Sequence, residues 1–102
     1  MSRQSLHYVG NAIDLTANIK ARLQGEGFSS IEEYDDTAGE AFSEHDHPGD
    51  QRMIVVRGSM IVEIGGAQNA LKVGDELDIP ARTKHSAIIG PEGCIYIVGE
   101  KT

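Results

Sequence analysis

The sequence predicts an all-β protein, a small antiparallel barrel or sandwich, with one short helix at its N-terminal end. Three observations carry this reading. Apolar runs of strand length recur along most of the chain, each bounded by Gly, Pro or Asp, as a set of short strands joined by turns requires. Twelve glycines stand against two phenylalanines and no tryptophan, so turns are frequent and the core depends on Val, Ile and Leu. Only one stretch has apolar residues at helical spacing, which leaves no crossover helices to join parallel strands. At 102 residues the chain makes one domain with a single core and has no room for a second lobe.

Taken in order, the helix comes first. Leu15, Ile19 and Leu23 recur every four residues between about Asn11 and Gln24. Asn11 and Asp14 offer N-terminal capping groups, and Gly25, after Lys20 and Arg22, is a stop signal. Residues 1–27 are therefore expected to form a helical extension and residues 28–102 the β-domain. Strands are predicted at Phe28 to Tyr34, Glu40 to Asp46 and Gln51 to Arg57. Ser59 to Ile64 and Ala67 to Val73 flank Gly65-Gly66, a two-residue connection suited to a hairpin whose turn needs positive φ. Glu76 to Ile79, Ser86 to Ile89 and Ile95 to Val98 complete the set. Neither an internal repeat nor a low-complexity segment interrupts the pattern.

Charge narrows the partners. The formal net charge is −7 and the nine basic residues never form a run, which disfavours nucleic acid and anionic membrane surfaces, both of which need clustered Lys and Arg. No apolar stretch approaches the ~20 residues of a membrane span, and Met1 to Gly10 lacks a signal-peptide core, so a cytoplasmic protein is expected. The single cysteine, Cys94, has no partner for an internal disulfide and reads as a small buried hydrophobe, since nothing cationic flanks it to favour a thiolate. His7 precedes the helix with no ligand-like neighbour and reads as a surface residue.

The chemistry concentrates in His45, His47 and His85. Side chains at i and i+2 of a strand point to one face, so the imidazoles of His45 and His47 can converge on a single ion if a third ligand arrives from elsewhere. His85 is the obvious third. The surrounding order is Gly39, five residues, His45-x-His47, three residues, Gln51, six residues, Gly58; then Gly74, five residues, Pro80, four residues, His85.

This pattern resembles the two motifs of the cupin superfamily, G-x5-H-x-H-x3-E-x6-G and G-x5-P-x-G-x2-H-x3-N. The resemblance covers roughly the C-terminal half of the chain and selects the small double-stranded β-helix, or jelly-roll barrel, from the all-β alternatives. Three positions depart from it: Gln51 stands where the family has a glutamate ligand, Arg82 where it has glycine, and Ile89 where it has asparagine. The resemblance implies a metal on the inner wall of the barrel, held by His45, His47 and His85, with little of its coordination sphere open and room only for a small substrate.

Imidazole ligands suit a divalent transition metal, namely Zn, Ni, Fe, Mn or Cu, and sequence does not choose among them. Gln51 is the least secure member of the ligand set, because it can offer only a neutral amide oxygen and reads more readily as a hydrogen-bonding pocket residue than as a ligand. Without a carboxylate the ion keeps its full charge, which favours anionic ligands and weakens metal retention. Asp46 and Asp50 are candidates to orient a histidine through its other ring nitrogen, Asp46 the weaker because strand alternation points it away. Met53 and Val55 share the face of Gln51, while Phe42, Tyr34 and Tyr96 read as packing residues. Arg82 is a solvated turn residue or the one positive group near the pocket mouth.

Two functions remain open. One is a metal-dependent enzyme of oxygenase or isomerase type acting on a small organic substrate, a class well represented among cupins. The other is a non-catalytic module that binds or senses a small ligand. A homodimer is expected as well, because the apolar face bearing Ile54 and Val56, opposite the pocket face, needs cover.

Overall fold

A computed structural model of the chain describes residues 15–102. One helix, α1 (residues 15–25), precedes six strands: β1 (Ser30–Asp36), β2 (Ala41–His45), β3 (Asp50–Ile64), β4 (Ala67–Lys72), β5 (Glu76–Ile79) and β6 (His85–Lys101). Every strand pairing is antiparallel. The two long strands, β3 and β6, form a ribbon that runs through the whole fold. Its first half, from Asp50 paired with Lys101 to Gly58 paired with Cys94, is flanked by β1 and β5; its second half, from Met60 paired with Ile89 to Ile64 paired with His85, is flanked by β2 and β4. The ribbon folds over between the halves, and the barrel closes around it.

That fold-over is where the predicted strand set differs most from the structure. Gly58 and the Gly90-Pro91-Glu92-Gly93 segment were expected to separate strands, yet β3 and β6 each continue through them with a shift of register. The glycines act by letting backbones approach. A Cβ at Gly58 would stand 2.0 Å from the carbonyl oxygen of Gly93, and one at Gly90 would stand 2.1 Å from Ser59 Oγ. Gly58 also has a φ of +74°, a conformation that L-residues adopt at a cost. The β3–β4 hairpin follows expectation, with Gly65 and Gly66 at φ of +57° and +84°.

Helix α1 begins within the described residues at Leu15; the predicted caps Asn11 and Asp14 lie outside them. The expected stop at Gly25 is displaced by two residues. Gly27, at φ +93°, ends the helix in a Schellman motif: its amide donates to the Gln24 carbonyl (3.1 Å) and that of Phe28 to the Leu23 carbonyl (3.1 Å). Phe28 then packs against Leu23, the apolar contact that accompanies this ending.

Two apolar clusters result. Met53, Val55, Met60, Val62, Leu71, Ile79, Ile89, Cys94 and Tyr96 fill the barrel between the two halves of the ribbon. Ile54, Val56 and Ile97, on the outer face, pack beneath Ile19, Leu23 and Phe28. The apolar face bearing Ile54 and Val56 is therefore covered by the chain's own helix and calls for no second copy to cover it. Ion pairs rim this contact: Lys20 with Glu33 (3.0 Å), Arg22 with Glu76 (2.8 Å), and Arg52 with both Glu26 (2.5 Å) and Asp78 (2.7 Å). Such exposed pairs contribute about 0.2–1 kcal/mol each, whereas burial of one Leu or Ile side chain contributes about 1.5–3 kcal/mol, so the apolar contact holds the helix down. No described helix is long and apolar enough to cross a membrane.

Candidate metal centre

Strand parity brings the three histidines together only because β2 is irregular. Phe42 faces the barrel core, so strict alternation would turn Glu44 inward and His45 outward. Between the pairs Phe42–Ala87 and His45–His85, however, β2 spends three steps against two on β6. The extra residue is a bulge that re-aims His45 toward His85. His85 itself opens β6 in phase with Ala87 and Ile89, both of which pack into the core, and is 4% exposed. His47 lies beyond the end of β2, in the loop leading to β3. That loop is tied to the segment before His85 by the Arg82 amide, which donates to the His47 carbonyl (2.8 Å).

The ligand atoms of His45, His47 and His85 all lie within 4.8 Å of one another. The ring centroids are 4.5 to 5.3 Å apart. Two rings are locked by the backbone: His45 Nδ1 lies 2.7 Å from the Ser43 carbonyl oxygen and His85 Nδ1 lies 2.9 Å from that of Thr83. A carbonyl only accepts, so in each neutral ring Nδ1 carries the proton and Nε2 keeps its lone pair free for a metal. Backbone carbonyls thus perform the orienting role expected of an aspartate. Asp50 serves elsewhere, its Oδ1 accepting from the Ala81 amide (2.8 Å) and pinning the turn that leads toward His85.

Burial, followed by repulsion from His45 and His85 when these are charged, holds His47 below the ordinary imidazole pKa of 6.5, with Glu100 and Asp46 opposing. An imidazole that resists protonation, as His47 does, suits a metal ligand, which must be neutral. His45 is exposed and His47 half-exposed, so the cluster lies at the barrel mouth and opens to solvent on one side. This is more open than the enclosed inner-wall position expected from sequence.

Gln51 is buried, 8% exposed, and in phase with Met53 and Val55, the expected face. Its Nε2 donates to Glu100 Oε1 (3.1 Å), and the second oxygen of that carboxylate accepts from the Gly49 amide (3.1 Å). Glu100 was invisible to sequence reasoning. It lies 49 positions from Gln51, outside both motifs, and reaches the site only through the β3–β6 register that pairs the two residues. Arg82 adopts φ +62°, the left-handed conformation that the glycine of the cupin pattern takes without cost. The packing readings hold elsewhere. Tyr34 stacks on Tyr96 (5.3 Å between centroids), the Tyr96 hydroxyl donates to Asp36 (2.6 Å), and burial pushes the Cys94 thiol up to about 11.

A small antiparallel barrel with three convergent histidines that could hold a metal is the architecture of a cupin, and comparison with known proteins agrees on the fold. Residues 33–98 match the family model of the Cupin domain, and the chain belongs to that family. Among solved structures it is similar to a cupin superfamily protein from Desulfitobacterium hafniense (19% identity, TM-score 0.65), of which it spans 66% with 71% of its own length. An RmlC-like cupin from Shewanella frigidimarina is 26% identical with a TM-score of 0.63, the match covering 71% of this chain and 65% of that one. The DMSP lyase DddQ from Ruegeria pomeroyi is 20% identical with a TM-score of 0.64, over 72% of this chain and 39% of the lyase. No curated protein matches the chain.

Proposed function

We propose that this cupin binds one divalent transition metal through Nε2 of His45, His47 and His85, and that it is an enzyme using that metal on a small oxygen-bearing organic molecule. The observation that carries the metal reading is the pair of Nδ1 contacts to the Ser43 and Thr83 carbonyls, which leave lone pairs on rings whose ligand atoms already gather within 4.8 Å. Such an ion supplies Lewis acidity toward an oxygen ligand. The protein's own part is to hold the three rings, to keep His47 neutral and to admit the ligand at the exposed side where His45 lies. Met53, Val55 and Tyr96 belong to the apolar cluster that fills the barrel.

The test is calorimetric titration of metal-loaded protein with panels of small carboxylates, hydroxy acids and diketones, each mixture afterwards analysed by mass spectrometry. Metal-dependent binding with a changed product supports the enzyme. Metal-dependent binding that returns the ligand intact supports a sensing module instead. Binding that is unaffected by removing the metal overturns both.

A further inference from the structure

We propose that Glu100 supplies the anionic charge of this site, taking over from β6 the part that a carboxylate at position 51 plays in the cupin pattern, with Gln51 as the amide that aims it. The inference rests on the metal reading above and extends it to the position where the chain departs most from its family.

Geometry supports the exchange. Gln51 and Glu100 are direct cross-strand partners on the face that lines the barrel. The glutamate is held at both oxygens, by Gln51 Nε2 and by the Gly49 amide, each at 3.1 Å. Gly49 is two residues from His47, so the loop that carries this ligand is fastened to the carboxylate directly. Only glycine permits this approach: a Cβ at position 49 would lie 2.1 Å from the Lys101 carbonyl oxygen and 2.9 Å from Glu100 Cγ. Glu100 is not among the residues whose ligand atoms gather within 4.8 Å, so it is a positioning and charge-balancing residue beside the ion. A divalent ion held by three neutral imidazoles has its charge uncompensated, and a carboxylate fixed at the rim of that shell reduces the cost of binding it.

The experiment measures metal affinity, by competition with a chromophoric chelator and using Zn, Ni and Mn salts, for the full-length wild type, E100Q and the exchanged double variant Q51E/E100Q. The thermal midpoint of each metal-free form is recorded alongside. In the double variant the carboxylate at 51 accepts from the amide at 100, whose oxygen accepts from Gly49, so charge and hydrogen bonds are both kept. We expect E100Q to lose roughly 10- to 100-fold in affinity, the range for residues that support metal ligands, and the double variant to recover it. An E100Q variant that binds metal as tightly as wild type, with only its thermal midpoint lowered, shows Glu100 to be structural and overturns the proposal. Loss of affinity that the double variant does not recover overturns the exchange. A wild type that takes up no metal refutes the site reading itself and is recognised in the wild-type arm alone.

Discussion

Gln51→Glu inserts the family's carboxylate into a site that already holds one, and the structure fixes what this should do to the metal-free protein. The wild-type amide donates to Glu100 Oε1 across 3.1 Å. A carboxylate in its place turns a donor–acceptor pair into two acceptors, with charge centres about 4 Å apart. At an effective dielectric constant of ~20 their repulsion is about 4 kcal/mol. The pair can instead take up a proton, and keeping one carboxyl neutral at pH 7 against an ordinary pKa of about 4.3 costs about 3.7 kcal/mol. The two routes cost nearly the same, and relaxation at the barrel mouth reduces both, so we expect a loss of about 2–4 kcal/mol at pH 7. For a domain of this size that lowers the thermal midpoint by roughly 10–25 °C. The sign with pH follows from linkage. A carboxyl whose folded pKa is raised loses stability as pH climbs from the unfolded value of about 4.3 through the folded one, so the gap to wild type should close as pH is lowered toward about 4.5. Thermal unfolding of chelator-treated protein, followed by circular dichroism between pH 4.5 and 7.5, measures this. A variant that melts with wild type throughout that range would show that Gln51 does not face Glu100.

Other expectations are more local. Arg82→Gly should raise stability by roughly 0.5–1 kcal/mol, because relief of the left-handed backbone, about 1–2 kcal/mol, exceeds the added freedom of the unfolded chain; a lowered denaturation midpoint would contradict this. Gly58→Ala should cost at least about 2 kcal/mol, since it combines φ +74° with a backbone clash against Gly93, and chemical denaturation would register it. With the folded pKa of His47 depressed, its contribution to metal-free stability is present above the unfolded value of about 6.5 and is lost as pH falls through the lower folded value. Metal affinity should fall in the same direction as protons compete for the three rings, and a chelator titration giving equal affinity at pH 5.5 and 7.5 would speak against histidine ligation.

The sequence showed the site more clearly than the strands. Histidines 45, 47 and 85 were readable because ligand chemistry demands particular residues at particular offsets, and the paired motifs left few alternatives. Strand ends were harder to read, since glycine marks both a turn and a place where two backbones meet. At Gly65-Gly66 the first meaning held; at Gly58 and Gly90 the second did, and four predicted strands became two. The bulge in β2 could not be read at all, as it depends on the step count of β6. Glu100 was hidden for the same reason, because register between strands 49 residues apart is a tertiary fact. The apolar face of Ile54 and Val56 was recognised as needing cover, and the predicted helix was recognised as amphipathic. Joining the two required knowing that the Gly27 turn returns the chain across that face.

The central claim is that three imidazoles at the barrel mouth hold one metal ion. Inductively coupled plasma mass spectrometry on tag-free protein, supplemented in turn with Zn, Ni, Fe, Mn and Cu and then desalted, tests it most directly. We predict a retained metal approaching one equivalent per chain, abolished by His85→Ala in protein that keeps its β-rich circular dichroism spectrum. Wild-type protein that stays empty after every supplementation, or a His85→Ala variant that retains as much metal as wild type, would contradict the account.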